Sequence, residues 1–350
     1  PAEWVDNFNK SLSGLTVMSS QVKKILIDNG VALPLKVCGL GVDHIDKFNE
    51  NSQYKICKKA YSFLHISSCF PRKGIECLLT SYGRSFSNSD DVSLIIKTFK
   101  NDHNNINQLL EKFYINNPNF PHVNVIESDL KDDEIKSLYK QCDVLVAPSH
   151  GEGFNLTVAE AMRLGLPVIT TAWGGQMDFC NPDNVWLIDY EFEYSQTHLD
   201  TFSSVWAKPS DSHLSQLMKE VYNASSSALS TKIQAAKESI SKYKWDYVAK
   251  INRDFVLNLN ASSTFKKPTI GVISTWKTRC GIATYSEHLI SNFDDECIIF
   301  APNITYNSHD ESIRCWDIGD DDLSNLFNNI IDKNITSILI QFNYGFFDFK

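Results

Sequence analysis

Ser149-His150-Gly151-Glu152-Gly153-Phe154-Asn155-Leu156-Thr157-Val158-Ala159-Glu160-Ala161-Met162 decides the fold of this chain. It follows the apolar run Val144-Leu145-Val146-Ala147 and leads into a segment of helical period that Gly165 is suited to stop. Two acids, Glu152 and Glu160, and a glycine-rich turn therefore meet where a strand hands over to a helix. In an open α/β sheet ligands bind at that edge. The free N–H groups and positive dipole end of a helix start attract phosphate, and glycine lets backbone approach a ligand. An acid at the same place can accept hydrogen bonds from sugar hydroxyls. The stretch predicts a sugar-phosphate site.

Outward from it, strand-length apolar runs alternate with helical patterns. The strands expected are Phe63–Ser68, Val92–Phe99, Val123–Glu127, Val144–Ser149, Pro167–Thr171 and Val185–Asp189. The helices between them are Ile75–Phe86, Asn105–Asn116, Asp133–Cys142 and Thr157–Leu164. Such alternation gives a Rossmann-like, doubly wound parallel sheet with helices on both faces. From Trp206 to Asn260 the pattern reads as helical throughout, with Asp211–Tyr222, Lys232–Lys242 and Trp245–Leu259 as the helices. Residues 261–268 read as a linker. The β/α pattern then restarts with a strand at Thr269–Thr275, a helix opened by Gly281, a strand at Cys297–Ala301, a helix at Asp322–Lys333 and a strand at Ser337–Phe342.

Composition narrows the function. The 350 residues suffice for two domains, and 43% hydrophobic with 21% charged residues is ordinary for a globular chain. A net charge of −9 argues against nucleic acid as the main partner. No apolar run approaches the ~20 residues of a membrane span. The nine cysteines form no C-x-x-C pair and read as buried free thiols. Asn155 is part of an N-x-T sequon inside the proposed site, where a glycan would block it; this points to the cytoplasm. The chain begins at Pro1 and stops at Lys350 inside an aromatic stretch, which reads as a piece of a longer polypeptide.

A second strand–loop–helix handover is Phe63-Leu64-His65-Ile66-Ser67-Ser68-Cys69-Phe70-Pro71-Arg72-Lys73-Gly74-Ile75. Arg72 and Lys73 could offer cations to a diphosphate just before a helix. Alone, the pair reads more readily as solvated surface charge, since such pairs are common.

With both stretches in view the chain resembles the retaining glycosyltransferases of the GT-B fold, family 4, also called glycosyl transferases group 1. Glu152…Glu160 matches the family's Glu-x7-Glu motif, Lys73-Gly74 its Lys-Gly after the first strand of the C-terminal domain, and Gly174-Gly175 its later glycine pair. The resemblance implies five parts. Residues 1–42 would be the tail of a GT-B N-terminal domain and 43–205 a nearly complete donor-binding C-terminal domain. Residues 206–260 would be its C-terminal helices, 261–268 the linker, and 269–350 the start of a second N-terminal domain in a tandem two-unit protein. In the last part Gly281 lies on the loop that resembles the family's opening glycine loop.

The implied activity is transfer of a hexosyl unit from a UDP- or GDP-linked donor to a glycan or lipid-linked acceptor, with retention and without a metal or other cofactor, in polysaccharide biosynthesis. Peripheral association with the inner face of a membrane is compatible with it. By the same resemblance Glu152 contacts the donor sugar, Glu160 holds the ribose, Lys73 with Arg72 neutralises the diphosphate, and backbone at Gly153, Phe154, Asn155 and Leu156 approaches sugar and phosphate. One departure is that Ser68 stands where the family usually has an arginine. It keeps open an alternative, a catalytically degenerate sugar-nucleotide-binding module; a GT-B epimerase or phosphorylase is a third. Asp320-Asp321-Asp322 has D-x-D spacing but reads as helix capping.

Overall fold

The computed structural model describes residues 2–196, 204–260, 269–278, 280–304, 311–319 and 322–341. The expected linker 261–268, Asp320, Asp321 and the end of the last expected strand, Phe342, lie outside the described residues. Packing divides the chain into two compact units, Val17–Val31 with Val42–Tyr243, and Pro1–Thr16 with Ala32–Gly41 and Lys244–Lys350.

The chain opens with α1 (Ala2–Ser11), β1 (Leu15–Val17), α2 (Ser20–Asp28) and β2 (Leu35–Val37). The larger unit is built on six strands: β3 (Tyr61–Ile66), β4 (Val92–Lys97), β5 (His122–Ile126), β6 (Val144–Ala147), β7 (Val168–Thr171) and β8 (Trp186–Ile188). They pair in the order β5-β4-β3-β6-β7-β8, all parallel. The helices between them are α3 (Ile75–Ser85), α4 (Ile106–Asn116), α5 (Asp132–Gln141) and α6 (Leu156–Leu164). The order reverses at β3/β6. Right-handed crossovers then place α3 and α4 on one face and α5 and α6 on the other, and the reversal opens a crevice at the carboxyl ends of β3 and β6.

The apolar runs of β3, β4, β6 and β7 were legible because these strands are covered on both sides. Every residue of β4 and β6 is buried. Phe63, Leu78, Tyr82, Leu94, Val144 and Ile169 form one core with Met218. A fully buried Val, Leu, Ile, Phe or Met side chain contributes about 1.5–3 kcal/mol.

After β8 the structure departs from the helical expectation. Residues Tyr190–Tyr194 (β9) and Val205–Pro209 (β10) form an antiparallel pair, Val205 opposite Tyr194 and Pro209 opposite Tyr190. Trp206 therefore lies on a strand, not at a helix start. The physical reason is the alternation of Tyr190, Phe192 and Tyr194 with two glutamates, a period of two that suits a hairpin. Helix α7 (Asp211–Tyr222) follows and packs on α3, where Ser81 and Ser85 donate to the carbonyls of Asp211 and Ser215 at 2.9 and 3.0 Å. Helix α8 (Ser226–Ile240) begins earlier than expected because Ser225 caps it, accepting from the Ala228 N–H, and it packs on α6.

The other unit holds α9 (Trp245–Asn260), β11 (Ile270–Ile273), α10 (Gly281–Ile290), β12 (Cys297–Pro302), β13 (Ile313–Trp316), α11 (Ser324–Asp332) and β14 (Ser337–Ile340). Its sheet is parallel in the order β13-β12-β11-β14, with β13 not foreseen from the sequence. Trp245, Val248 and Ala249 of α9 pack with Cys38, Val272 and Leu339 in one cluster. Trp245 meets Tyr285 edge to face at 5.2 Å and stacks on His288 at 5.3 Å.

Candidate functional site

The loops after β3 and β6 are locked together at the crevice. After β3 the chain makes a tight turn over Pro71–Lys73 and reaches Gly74 at φ 72°, a left-handed conformation that suits glycine. A Cβ there would lie 2.0 Å from the Pro148 carbonyl oxygen, so only glycine lets the two backbones touch. The His150 N–H donates to the Arg72 carbonyl at 2.8 Å.

That contact carries the cations to the acid. Lys73 Nζ lies 2.6 Å from Glu152 Oε1, and Arg72 Nη1 lies 3.4 Å from Glu152 Oε2 and 3.2 Å from the Gly151 carbonyl. Only 8% of the Glu152 side chain is exposed, against 18% of Lys73 and 41% of Arg72. Burial pushes the Glu152 carboxyl up, but the charges of Lys73 and then Arg72, with hydrogen bonds from Lys73 and Ser149, outweigh it and hold it below its ordinary value.

Just beyond, the Gly175 N–H donates to the Glu152 carbonyl at 2.8 Å, and a Cβ on Gly175 would stand 1.9 Å from the Gly153 carbonyl oxygen. The chain then enters α6 through Asn155 at φ 71°. Asn155 makes no capping hydrogen bond to the helix. Its Oδ1 accepts from the Thr157 hydroxyl at 3.1 Å, while its Nδ2 is buried without a partner. A buried unpaired amide costs about 1–3 kcal/mol. Next to a helix start whose N–H groups have no capping side chain, it makes a cluster of donors suited to an anion. Phe154 turns inward, against Phe179 and Tyr243, so only its backbone is available to a ligand. Leu156 is the first residue of α6.

Glu160, one turn into α6, is held from two sides. His44 Nε2 lies 3.0 Å from its Oε1, and the Tyr139 hydroxyl donates to its Oε2 at 2.8 Å. Sequence reasoning missed both partners. Neither belongs to the motif, and they come from 116 and 21 residues away. Beneath the crevice His65 is fully buried, with Nδ1 on the Val146 carbonyl and Nε2 on the Ser67 hydroxyl, each at 2.8 Å. Burial pushes its imidazole down to about 4, so it is a neutral link between β3 and β6.

Ser68 offers its carbonyl to the Asn101 amide at 3.0 Å. Gly281 begins α10 in the other unit with open space where a Cβ would stand. Asp322 accepts from the Ser324 N–H at 3.0 Å, although the helix N-cap is Leu323 and no side chain caps it, so the capping expected of the aspartates is not seen at Asp322. Among the described residues no three His, Cys, Asp or Glu side chains form a metal-binding group, and no described helix is long and apolar enough to cross a membrane.

A doubly wound parallel sheet with cations and an open helix start at its switch point is the layout of one half of the GT-B fold. Residues 46–193 match the model of the glycosyl transferases group 1 family. The chain is 25% identical over 175 residues to the capsular polysaccharide biosynthesis glycosyltransferase CapM of Staphylococcus aureus, covering 47% of this chain and 44% of that protein. It thus spans less than half the length of that relative. Its fold is similar to that of sucrose-phosphate synthase from Thermosynechococcus elongatus, with a TM-score of 0.59 and 17% identity over 75% of this chain and 62% of the other. It is also similar to Anabaena Alr3699/HepE, solved in complex with UDP and glucose, with a TM-score of 0.58 and 18% identity over 74% of this chain and 66% of the other.

Proposed function

We propose that the crevice binds a nucleoside-diphosphate sugar and that the full protein transfers the sugar, with retention, to a glycan or lipid-linked acceptor in polysaccharide synthesis. One observation carries the reading: Lys73 and Arg72 sit on Glu152, three residues before the unpaired Asn155 amide and the uncapped start of α6. Before the donor arrives Glu152 occupies the Lys73 ammonium. Donor binding would hand Lys73 to the diphosphate and leave Glu152 to accept hydroxyl hydrogen bonds from the sugar. Glu160, already oriented by His44 and Tyr139, keeps lone pairs for the ribose hydroxyls. In the reaction the bond from the anomeric carbon to the diphosphate oxygen breaks and its electron pair stays on that oxygen. Lys73 and the helix N–H groups stabilise the charge. The acceptor hydroxyl attacks the anomeric carbon on the same face and gives its proton to the leaving diphosphate.

CapM, named for capsular polysaccharide biosynthesis, and the UDP and glucose bound to HepE support the substrate class. The test is calorimetry and transfer assays on the full-length protein with UDP- and GDP-sugars, beside Lys73→Ala and Glu152→Ala. Normal turnover in both folded variants overturns the assignment. Ser68, which supplies no guanidinium, favours a second reading as a binding module; donor binding with neither hydrolysis nor transfer would establish it.

A further inference from the structure

A second cavity, of about 890 Å³, lies between the start of α3, the loop before α4 and the β9–β10 pair. Neither Lys73, Glu152 nor Glu160 lines it. Its volume falls in the range of ligand pockets, roughly 300–1,000 Å³.

The lining selects a chemistry. Five carboxylates, Glu76, Asp189, Glu191, Glu193 and Asp211, face one lysine, Lys208, and no arginine. Lys208 is already committed to Glu193 at 3.0 Å. This surplus of negative charge repels phosphate or a uronic acid. It is also not a bare acidic cluster, because Glu193 is paired and Asp211 meets Arg84 at 3.3 Å. The wall between the carboxylates is aromatic. Trp206 packs on His150 with ring centroids 4.2 Å apart, and its indole N–H donates to Glu193 Oε1 at 3.0 Å; Tyr190 stands on the neighbouring strand. His150, half-buried in the same wall, carries a ring nitrogen, Nδ1, that is buried without a partner. Aromatic faces that cover C–H surfaces and carboxylates that accept from hydroxyls together fit an uncharged polyol.

We infer that this cavity is a binding site for a neutral glycan, separate from the nucleotide-sugar crevice. His150 is the junction between them, since its backbone N–H holds the Arg72 loop, its carbonyl accepts from the Ala207 N–H at 3.1 Å, and its ring lines the glycan cavity. The inference does not depend on the donor assignment.

The test titrates the whole chain with maltotetraose, cellotetraose and mannotetraose, with tetragalacturonate and spermine as charged controls. Tryptophan fluorescence and saturation-transfer NMR are the readouts. At least one neutral tetrasaccharide should bind in the millimolar range or tighter, and saturating UDP or GDP should not displace it. Trp206→Ala and Glu193→Gln should each weaken binding at least tenfold, whereas Lys73→Met should leave it unchanged. Glu191→Gln, on an exposed strand position, tests the site without touching the packing and should weaken binding severalfold. Absence of binding by all three neutral probes, preference for spermine or tetragalacturonate, displacement by nucleotide, or indifference to all three cavity substitutions would overturn it.

Discussion

Replacing Lys73 by Met keeps the aliphatic stem and removes the charge from beside a carboxylate only 8% exposed. Removing one partner of a buried pair costs about 3–5 kcal/mol, because the other is left charged and dry. Lys73 is 18% exposed and Arg72 remains 3.4 Å from Glu152, though 41% exposed and screened. The lower end, about 3 kcal/mol at pH 7.5, is therefore expected. The pH dependence is the sharper test. In the native protein the folded Glu152 carboxyl lies below its ordinary 4.5. Its contribution is present above the unfolded value and lost only as pH falls through the folded one, so it hardly changes between pH 7.5 and 5.0.

In Lys73→Met the largest lowering influence is gone and burial dominates, so the folded carboxyl rises above the unfolded value. That contribution is present at low pH and lost as pH rises through the folded value. A proton held only by the folded state relieves the penalty by at most about 1.4 kcal/mol per pH unit. Urea unfolding followed by tryptophan fluorescence should thus show the gap between the two proteins narrowing from pH 7.5 to 5.0. Adding Glu152→Gln to Lys73→Met should recover most of the loss at pH 7.5. An equal gap at both pH values, or no recovery, would refute the buried pair.

Gly74→Ala should destabilise the larger unit by about 2 kcal/mol or more, from left-handed strain and the 2.0 Å approach to Pro148, and lower its thermal midpoint by about 4–8 °C in a calorimetric scan. Glu160→Ala should weaken UDP or GDP binding by about 10- to 150-fold, the range of about 1.5–3 kcal/mol for hydrogen bonds to a charged group, and His44→Ala by less; titration calorimetry reads both. Trp245→Ala, at a residue 3% exposed, should cost about 3–5 kcal/mol. Hydrogen exchange should then show protection lost in β11 but kept in β3 and β4, because Trp245 packs in the core that holds β11.

What was legible in the sequence follows from how each element is covered. Strands β3, β4, β6 and β7 announced themselves because burial on both faces demands continuous apolar runs, and β4 is buried from Val92 to Lys97. The β9–β10 pair did not, because Phe192, Tyr194 and Val205 stay more than half exposed and the buried positions of β10 are Ala207 and Pro209, which make no large apolar run. The motif singled out Glu152 and Glu160, but not the partners that each of them meets. Lys73 and Glu152, read as serving different ends of a donor, are bonded to each other across 79 residues of sequence. Such a pair is invisible to spacing arguments, since it depends on Gly74 letting one loop rest on the Pro148 carbonyl of another. The same holds at Glu160, whose orientation is set by His44 and Tyr139 from outside the motif. The pairing also has a chemical consequence. A lysine left free in a crevice would capture any small anion, whereas one held by Glu152 yields only to a ligand that replaces the carboxylate with its diphosphate and satisfies the freed acid with hydroxyls. Under the proposed function, selectivity for a sugar joined to a diphosphate would be a property of the ion pair and not of either residue alone.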